Sequence, residues 1–282
     1  MRIVSYLNPK DNAAALALRL GNEFVALPAD APRNLLSVIQ SNSLSSLASL
    51  FGRGTPLDPN QITLLPPLAQ PPKIVCIGLN YADHTKESPY EQPNYPTIFT
   101  RFASSLIGHG AAIIRPKCSE QLDFEGEMVA VIGKGGRHIT REQALDHVIG
   151  YSVFNDVSVR DYQFKSPQWT VGKNFDASGP FGPDFVTADE LPPGGSGLKL
   201  ETRLNGQVVQ SANTSDMLFN VRDIIATLSE AITLEPGDVL VTGTPAGVGF
   251  ARKPPLFMKH GDIIEVEIEG IGLLSNPVQD EK

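Results

Sequence analysis

A β-rich α+β fold is what this sequence predicts, on three observations. Short runs of β-branched and aliphatic residues dominate the chain after residue 72, each bounded by turn residues. Only two helical patterns interrupt those runs, so helix and strand do not alternate as they would around a parallel sheet. The 282 residues include 25 glycines and 23 prolines, enough to turn the chain between many short strands.

The elements follow in order. Arg2–Leu7 and residues 23–27 read as strands, and residues 34–50 as a helix. In that helix Leu35, Val38, Ile39, Leu44, Leu47 and Leu50 fall near helical spacing, serines fill the other faces, and Asp30 or Asn34 serves as the cap. Together they predict a small N-terminal α/β domain over residues 1–65. Residues 66–72 carry four prolines and read as a stiff, extended connection. The rest, residues 73–282, forms the second domain, with strands at 73–78, 128–133, 149–154, 199–204, 207–209, 238–241 and 262–268. Asn205-Gly206 joins two of these as a two-residue hairpin, since both residues tolerate positive φ. Helices are expected at 140–147, capped by Thr140 with Glu142 in the first turn, and at 220–231.

Composition narrows the function. The formal charge of −8 leaves no basic face for phosphates, so nucleic acid is excluded as a partner. No apolar run reaches the length of a membrane span, and the first residues lack a signal-like apolar core, so no membrane partner is expected. Cys76 and Cys118 form no C-x-x-C pair and read as reduced thiols of a cytoplasmic protein, with Cys76 filling the core.

Four segments carry chemistry. In Leu122-Asp123-Phe124-Glu125-Gly126-Glu127-Met128-Val129-Ala130-Val131, strand alternation puts Asp123, Glu125 and Glu127 on the face that turns apolar at Val129 and Val131. Buried neighbouring carboxylates need shared protons or a cation; a solvated edge is the other reading. Gly126 leaves the opposite face open to close approach. Asp156 ends another apolar run and offers a third carboxylate, a donor set suited to Mg²⁺ or Mn²⁺ more than to zinc. His84 and Glu87, three apart, suit either a surface ion pair or a base with its orienting carboxylate. Lys173 opens a loop constrained by glycine and proline, where it is either an ordinary surface lysine or a group that stabilises an enolate or carboxylate. Last comes Val241-Thr242-Gly243-Thr244-Pro245-Ala246-Gly247-Val248-Gly249, whose N–H groups could receive an oxyanion or carboxylate. It matches no Walker A, G-x-G-x-x-G or G-x-S-x-G pattern.

Taken together, these segments resemble the fumarylacetoacetate hydrolase family over roughly residues 70–280. The motifs that carry the resemblance are G-L-N-Y-A-D-H-x-x-E, S-S-L-I-G, D-F-E-G-E, N-D-V-S-x-R-D-x-Q, G-K-x-x-D-x-x-G-P-x-G-P and V-x-T-G-T-P-x-G-V-G, in that order. The resemblance implies stacked sheets forming a β-roll, usually as a homodimer, and a Mg²⁺ or Mn²⁺ site with Glu125, Glu127 and Asp156 as ligands. It also implies His84 and Glu87 as a water-activating dyad on a lid, Lys173 beside the metal, and Arg160, Gln163, Gly243 and Thr244 as substrate contacts. Arg101-Phe102 stands where many relatives carry Lys-Pro, so Arg101 is expected to pair with a substrate carboxylate. The small-molecule partner is then a keto acid. The expected reaction is metal-assisted hydrolysis of a C–C bond in an acylpyruvate-type 2,4-diketo acid, releasing pyruvate or a related keto acid. The alternatives are oxaloacetate decarboxylation, keto–enol isomerisation or hydration at the same site, and a non-catalytic metal-binding protein.

Overall fold

The computed structural model describes residues 1–87, 91–92 and 94–282. Among the described residues, strands far outnumber helices, and most strands belong to two sheets. The larger sheet runs Thr55–Leu57, Glu23–Ala26, Ala14–Leu20, Arg2–Leu7, Asp184–Thr187, Val148–Asn155, Gly126–Ile132, Val239–Val241, Ile74–Gly78, Thr97–Thr100, with Thr63–Leu65 also on Arg2–Leu7. The smaller sheet runs Gln207–Asn213, Lys199–Leu204, Ile263–Ile268, Gly272–Asp280, Ile113–Arg115. Residues 1–65 share the larger sheet with the rest of the chain: Arg2 pairs with Val186 and Val4 with Asp184.

The strand Gly126–Ile132 organises the core, because its two faces bury different things. Met128, Ala130 and Ile132 pack between the sheets with Leu200, Val266, Ile268 and the apolar stripe Val221, Ile224, Ile225, Leu228 of helix Val221–Ala231. Val129 and Val131 pack on the other side with Cys76, Phe154, Val241 and the N-terminal helix residues Leu35, Val38 and Ile39. A Cβ at Gly126 would lie 2.2 Å from Thr202 Oγ1, so glycine lets the smaller sheet close against this strand.

Where the structure differs from the sequence reading, local hydrogen bonding or burial explains it. The helix expected over 34–50 is two helices, Leu35–Gln40 and Ser46–Leu50. Asn34 caps the first, and the hydroxyls of Ser41 and Ser43 bond to the Val38 carbonyl while Asn42 turns to φ 52°. Only Ala144–His147 of the 140–147 segment is helical, and it is 3₁₀. The strand Ala14–Leu20 lacks alternation because Leu16, Ala17 and Leu18 are all buried, one after another. Pro277 hides Gly272–Asp280, whose residues 272–277 pair with Ile263–Ile268. No described helix is long and apolar enough to cross a membrane.

Candidate metal centre and cleft

The alternation read from sequence brings three carboxylates together. Glu127 leaves Gly126–Ile132 on the same side as Val129 and Val131, Glu125 precedes that strand, and Asp156 follows Val148–Asn155, its antiparallel partner. Asp156 N–H donates to the Glu125 carbonyl at 2.8 Å, and Asn155 Oδ1 accepts from Glu125 N–H at 3.0 Å. Glu125, Glu127 and Asp156 each offer an oxygen, and these oxygens lie within 4.8 Å of one another, all on buried residues.

Their electrostatics are unequal. Lys173 Nζ donates to Glu125 Oε2 and Asp156 Oδ2, each at 2.7 Å, and Arg160 Nη1 pairs with Glu125 Oε1 at 2.7 Å. Burial raises the Glu125 carboxyl, but Lys173, Arg160 and His84 outweigh it and hold it at about 2. Glu127 takes the N–H of Gly243 and has no cationic partner among the described residues. Burial, then Asp156 and Glu125, push its carboxyl well above the ordinary value. A hard oxygen donor set with one uncompensated carboxylate fits a divalent cation, which would supply the missing charge.

Glu125, Glu127, Arg160 and Lys173 line a small cleft together with His84, Gln163 and Thr244, walled by Phe99, Phe164, Trp169 and Phe250. His84 and Glu87 sit on helix Ala82–Glu87, with His84 Nδ1 3.0 Å from Glu87 Oε1. Glu87 Oε2 also accepts from Gly247 N–H at 3.0 Å. A carboxylate only accepts, so Nδ1 is the donor in this pair. Residues 88–90 and 93, which follow this helix, lie outside the described residues.

The remaining expected contacts are distributed as follows. Arg160 Nη1 also donates to Gln163 Oε1 at 2.8 Å, so both residues enter the cleft together. Thr244 Oγ1 donates to the Gly126 carbonyl at 3.0 Å and accepts from Gln210 Nε2 at 2.8 Å. Gly243, at φ 98°, gives its N–H to Glu127; a Cβ there would lie 2.7 Å from Asn80 Cβ. Arg101 is fully buried on the far side of Asp156, pairing with its Oδ1 and donating to Ser178 Oγ at 2.7 Å, and it does not line the cleft. That placement differs from the expected pairing with a substrate carboxylate: the guanidinium's nearest anion is Asp156 itself. His109 accepts from Ser275 N–H at 3.1 Å, away from the cleft.

Two residues at the site, Asn80 and Gln210, were not singled out from sequence, and Asp123 was placed on the carboxylate face without a role. Asn80 is fully buried and ties the turn before helix Ala82–Glu87 to the carbonyls of Phe219 and Thr242, at 2.9 and 2.7 Å. Gln210 joins Gly126 N–H, at 2.9 Å, to Thr244 and Pro245. Asp123 sits beside Arg160. Asn80 and Asp123 lie inside quoted motifs, which was the available signal; Gln210 lies on a strand with no motif.

Comparison with known proteins bears on this geometry. Residues 73–279 match the profile described as fumarylacetoacetate (FAA) hydrolase C-terminal. The mitochondrial oxaloacetate tautomerase fahd2 of Xenopus laevis is 41% identical over 288 residues, covering 99% of this chain and 90% of the relative. The mitochondrial oxaloacetate tautomerase FAHD2A of Homo sapiens is 40% identical, covering 99% and 91%. Among solved structures, fumarylacetoacetate hydrolase from psychrophilic Exiguobacterium antarcticum aligns with a TM-score of 0.88 at 38% identity, covering all of both chains. Maleylpyruvate hydrolase from Sphingobium sp. SYK-6, in complex with manganese(II) and pyruvate, aligns at 0.82 and 26%, again covering both chains fully.

Proposed function

The chain belongs to the fumarylacetoacetate hydrolase family, and from that premise we propose that it is a divalent-metal-dependent keto–enol tautomerase of oxaloacetate or a closely similar short 2-oxo diacid. The observation that carries this reading is the likeness to oxaloacetate tautomerases across 99% of the chain. The site supports it, because a tautomerase needs one base beside the carbon, a charge sink beside the oxygen, and an anion holder. Mg²⁺ or Mn²⁺ held by Glu125, Glu127 and Asp156 would supply that charge sink.

The chain's own residues do the rest. Arg160 and Gln163 hold a carboxylate at one side of the cleft. His84, its Nδ1–H directed at Glu87, takes a proton at Nε2 from the carbon next to the 2-oxo group and delivers it to the oxo oxygen, giving the enol; the reverse transfer gives the keto form. Lys173 holds Glu125 and Asp156 side by side through its two ion pairs. The aromatic walls limit water around the reacting carbon and oxygen.

C–C hydrolysis of an acylpyruvate is the second reading. It is favoured by the His84–Glu87 pair, which suits water activation equally well, and by the likeness to maleylpyruvate hydrolase. The deciding experiment mixes the Mg²⁺-loaded chain with oxaloacetate and with acylpyruvates. Loss of enol absorbance faster than in buffer, with no carbon dioxide or pyruvate formed, is the expected result. Stoichiometric pyruvate plus an acid from an acylpyruvate, with no acceleration of the tautomer exchange, refutes it.

A further inference from the structure

Asp123 is fully buried, and it stands apart from the three carboxylates that converge. Its Oδ1 accepts from the N–H groups of Phe124 at 2.8 Å and Gly249 at 2.7 Å. Its Oδ2 accepts from Phe250 N–H at 3.0 Å and from Arg160 Nε at 2.8 Å. Arg160 in turn gives Nη1 to Glu125 and Gln163. Its Nη2 is buried and has no partner among the described residues, while the side chain lines the cleft. The Phe250 ring, whose own N–H is fixed on Asp123, lies 4.5 Å from the guanidinium carbon.

A guanidinium is planar and rigid, so fixing Nε and Nη1 fixes where Nη2 points. A buried N–H without a partner is costly unless an acceptor arrives, and a carboxylate is the acceptor that matches the guanidinium's charge. We infer that Asp123 is a positioning residue: by clamping Arg160 Nε to the Gly249-Phe250 amides it aims Nη2 into the cleft, where it selects ligands carrying a second carboxylate. The inference deepens the proposed function and rests on it for the class of substrate.

The test reads binding rather than turnover. The Mg²⁺-loaded full chain is titrated by calorimetry with malate and with lactate, which share a 2-hydroxy carboxylate and differ by a terminal carboxylate. The wild type is expected to prefer malate by roughly tenfold or more. Asp123→Asn is expected to lose most of that preference, because its amide nitrogen faces donors, with lactate binding and Mg²⁺ affinity held within about twofold. Acting through Arg160, it adds no further loss to Arg160→Gln in a double-mutant cycle. If Asp123→Asn fails to fold, Arg160→Lys carries the test: it keeps the charge, lacks the Nε–H, and is expected to lose the preference as Arg160→Gln does. A wild type that does not favour malate, an Asp123→Asn variant that loses both ligands alike or neither, or an Arg160→Lys variant with full preference overturns the inference. Absence of tautomerase activity would refute the proposed reaction and leave the binding result standing.

Discussion

Replacing Glu127 with glutamine pulls folding and metal binding in opposite directions. The residue is 2% exposed, and Glu125 and Asp156 crowd it with oxygens inside a 4.8 Å span. Lys173, Arg160 and Arg101 all face those two neighbours, leaving Glu127 with a backbone N–H. In a metal-free chain its charge is therefore a net cost, and a neutral isostere that can still accept from Gly243 removes that cost. Replacing even a buried ion pair with neutral groups of similar volume is often neutral or stabilising by up to about 1–4 kcal/mol, and Glu127 has no ion pair to lose among the described residues. For a chain this size, that is a rise in Tm of roughly 2–7 °C. Mg²⁺ loses one of three charged oxygen donors, and the fall in affinity should exceed the roughly 10–100-fold typical of losing an outer partner. Thermal unfolding in excess chelator, set beside calorimetric titration with Mg²⁺, measures both. A chelated Glu127→Gln variant that unfolds at or below the wild-type temperature, or one that binds Mg²⁺ as the wild type does, would refute the reasoning.

The remaining predictions use the same residues. The Glu127 carboxyl is raised above its ordinary 4.5 when folded, so its stabilising contribution is complete below pH 4.5 and is lost as pH rises through the folded value. The Tm advantage of Glu127→Gln in chelator therefore grows with pH, while wild-type Mg²⁺ affinity climbs over the same interval because the metal displaces the proton; a pH-independent advantage would count against this. Lys173→Met strips the buried partner from both Glu125 and Asp156 and should cost about 3–5 kcal/mol in chelator, with part regained on adding Mg²⁺, as chemical denaturation will show. His84→Gln should lower kcat for tautomer exchange by roughly 10²–10⁴-fold and leave Mg²⁺ affinity within about twofold, read by enol absorbance and calorimetry. Gly126→Ala places a Cβ 2.2 Å from Thr202 Oγ1 and 3.0 Å from Val266 Cγ1 and should destabilise by about 1–3 kcal/mol in denaturant unfolding.

Much of the architecture was legible because its signals are local. Arg2–Leu7 and Lys199–Leu204 match their expected bounds, and Asn220 caps Val221–Ala231 with its side chain on the Arg222 and Asp223 N–H groups. What the sequence hid depends on partners far along the chain. Nothing local marks Ala14–Leu20 as a strand, since it is buried between Arg2–Leu7 and Glu23–Ala26 and so shows no alternation. At the site, the carboxylate triad was readable because one strand's period of two carries Glu127 toward Val129 and Val131. The placement of Arg101 was not, because whether a guanidinium faces a cleft or a buried aspartate is decided by a residue 55 positions away.

The loop at residues 243–250 shows most clearly what a side-chain pattern conceals. Its N–H groups read as receivers for a substrate oxygen, and in the structure they receive the protein's own carboxylates. Gly243 serves Glu127, Gly247 and Val248 serve Glu87, and Gly249 and Phe250 serve Asp123. Such an arrangement needs peptide groups turned in directions that side chains resist, and Gly243 and Gly247 have φ of 98° and 107°. The three acidic residues come from two segments, Glu87 from one and Asp123 and Glu127 from the other; Glu127 belongs to the carboxylate triad, Glu87 stands beside His84 and Asp123 beside Arg160. A shift of this one loop therefore displaces all three together. The acidic surplus of the chain is in this sense partly structural: two of the carboxylates, Glu87 and Asp123, answer backbone amides and hold the cationic and basic groups in place, leaving Glu127 as the one whose charge still calls for a metal.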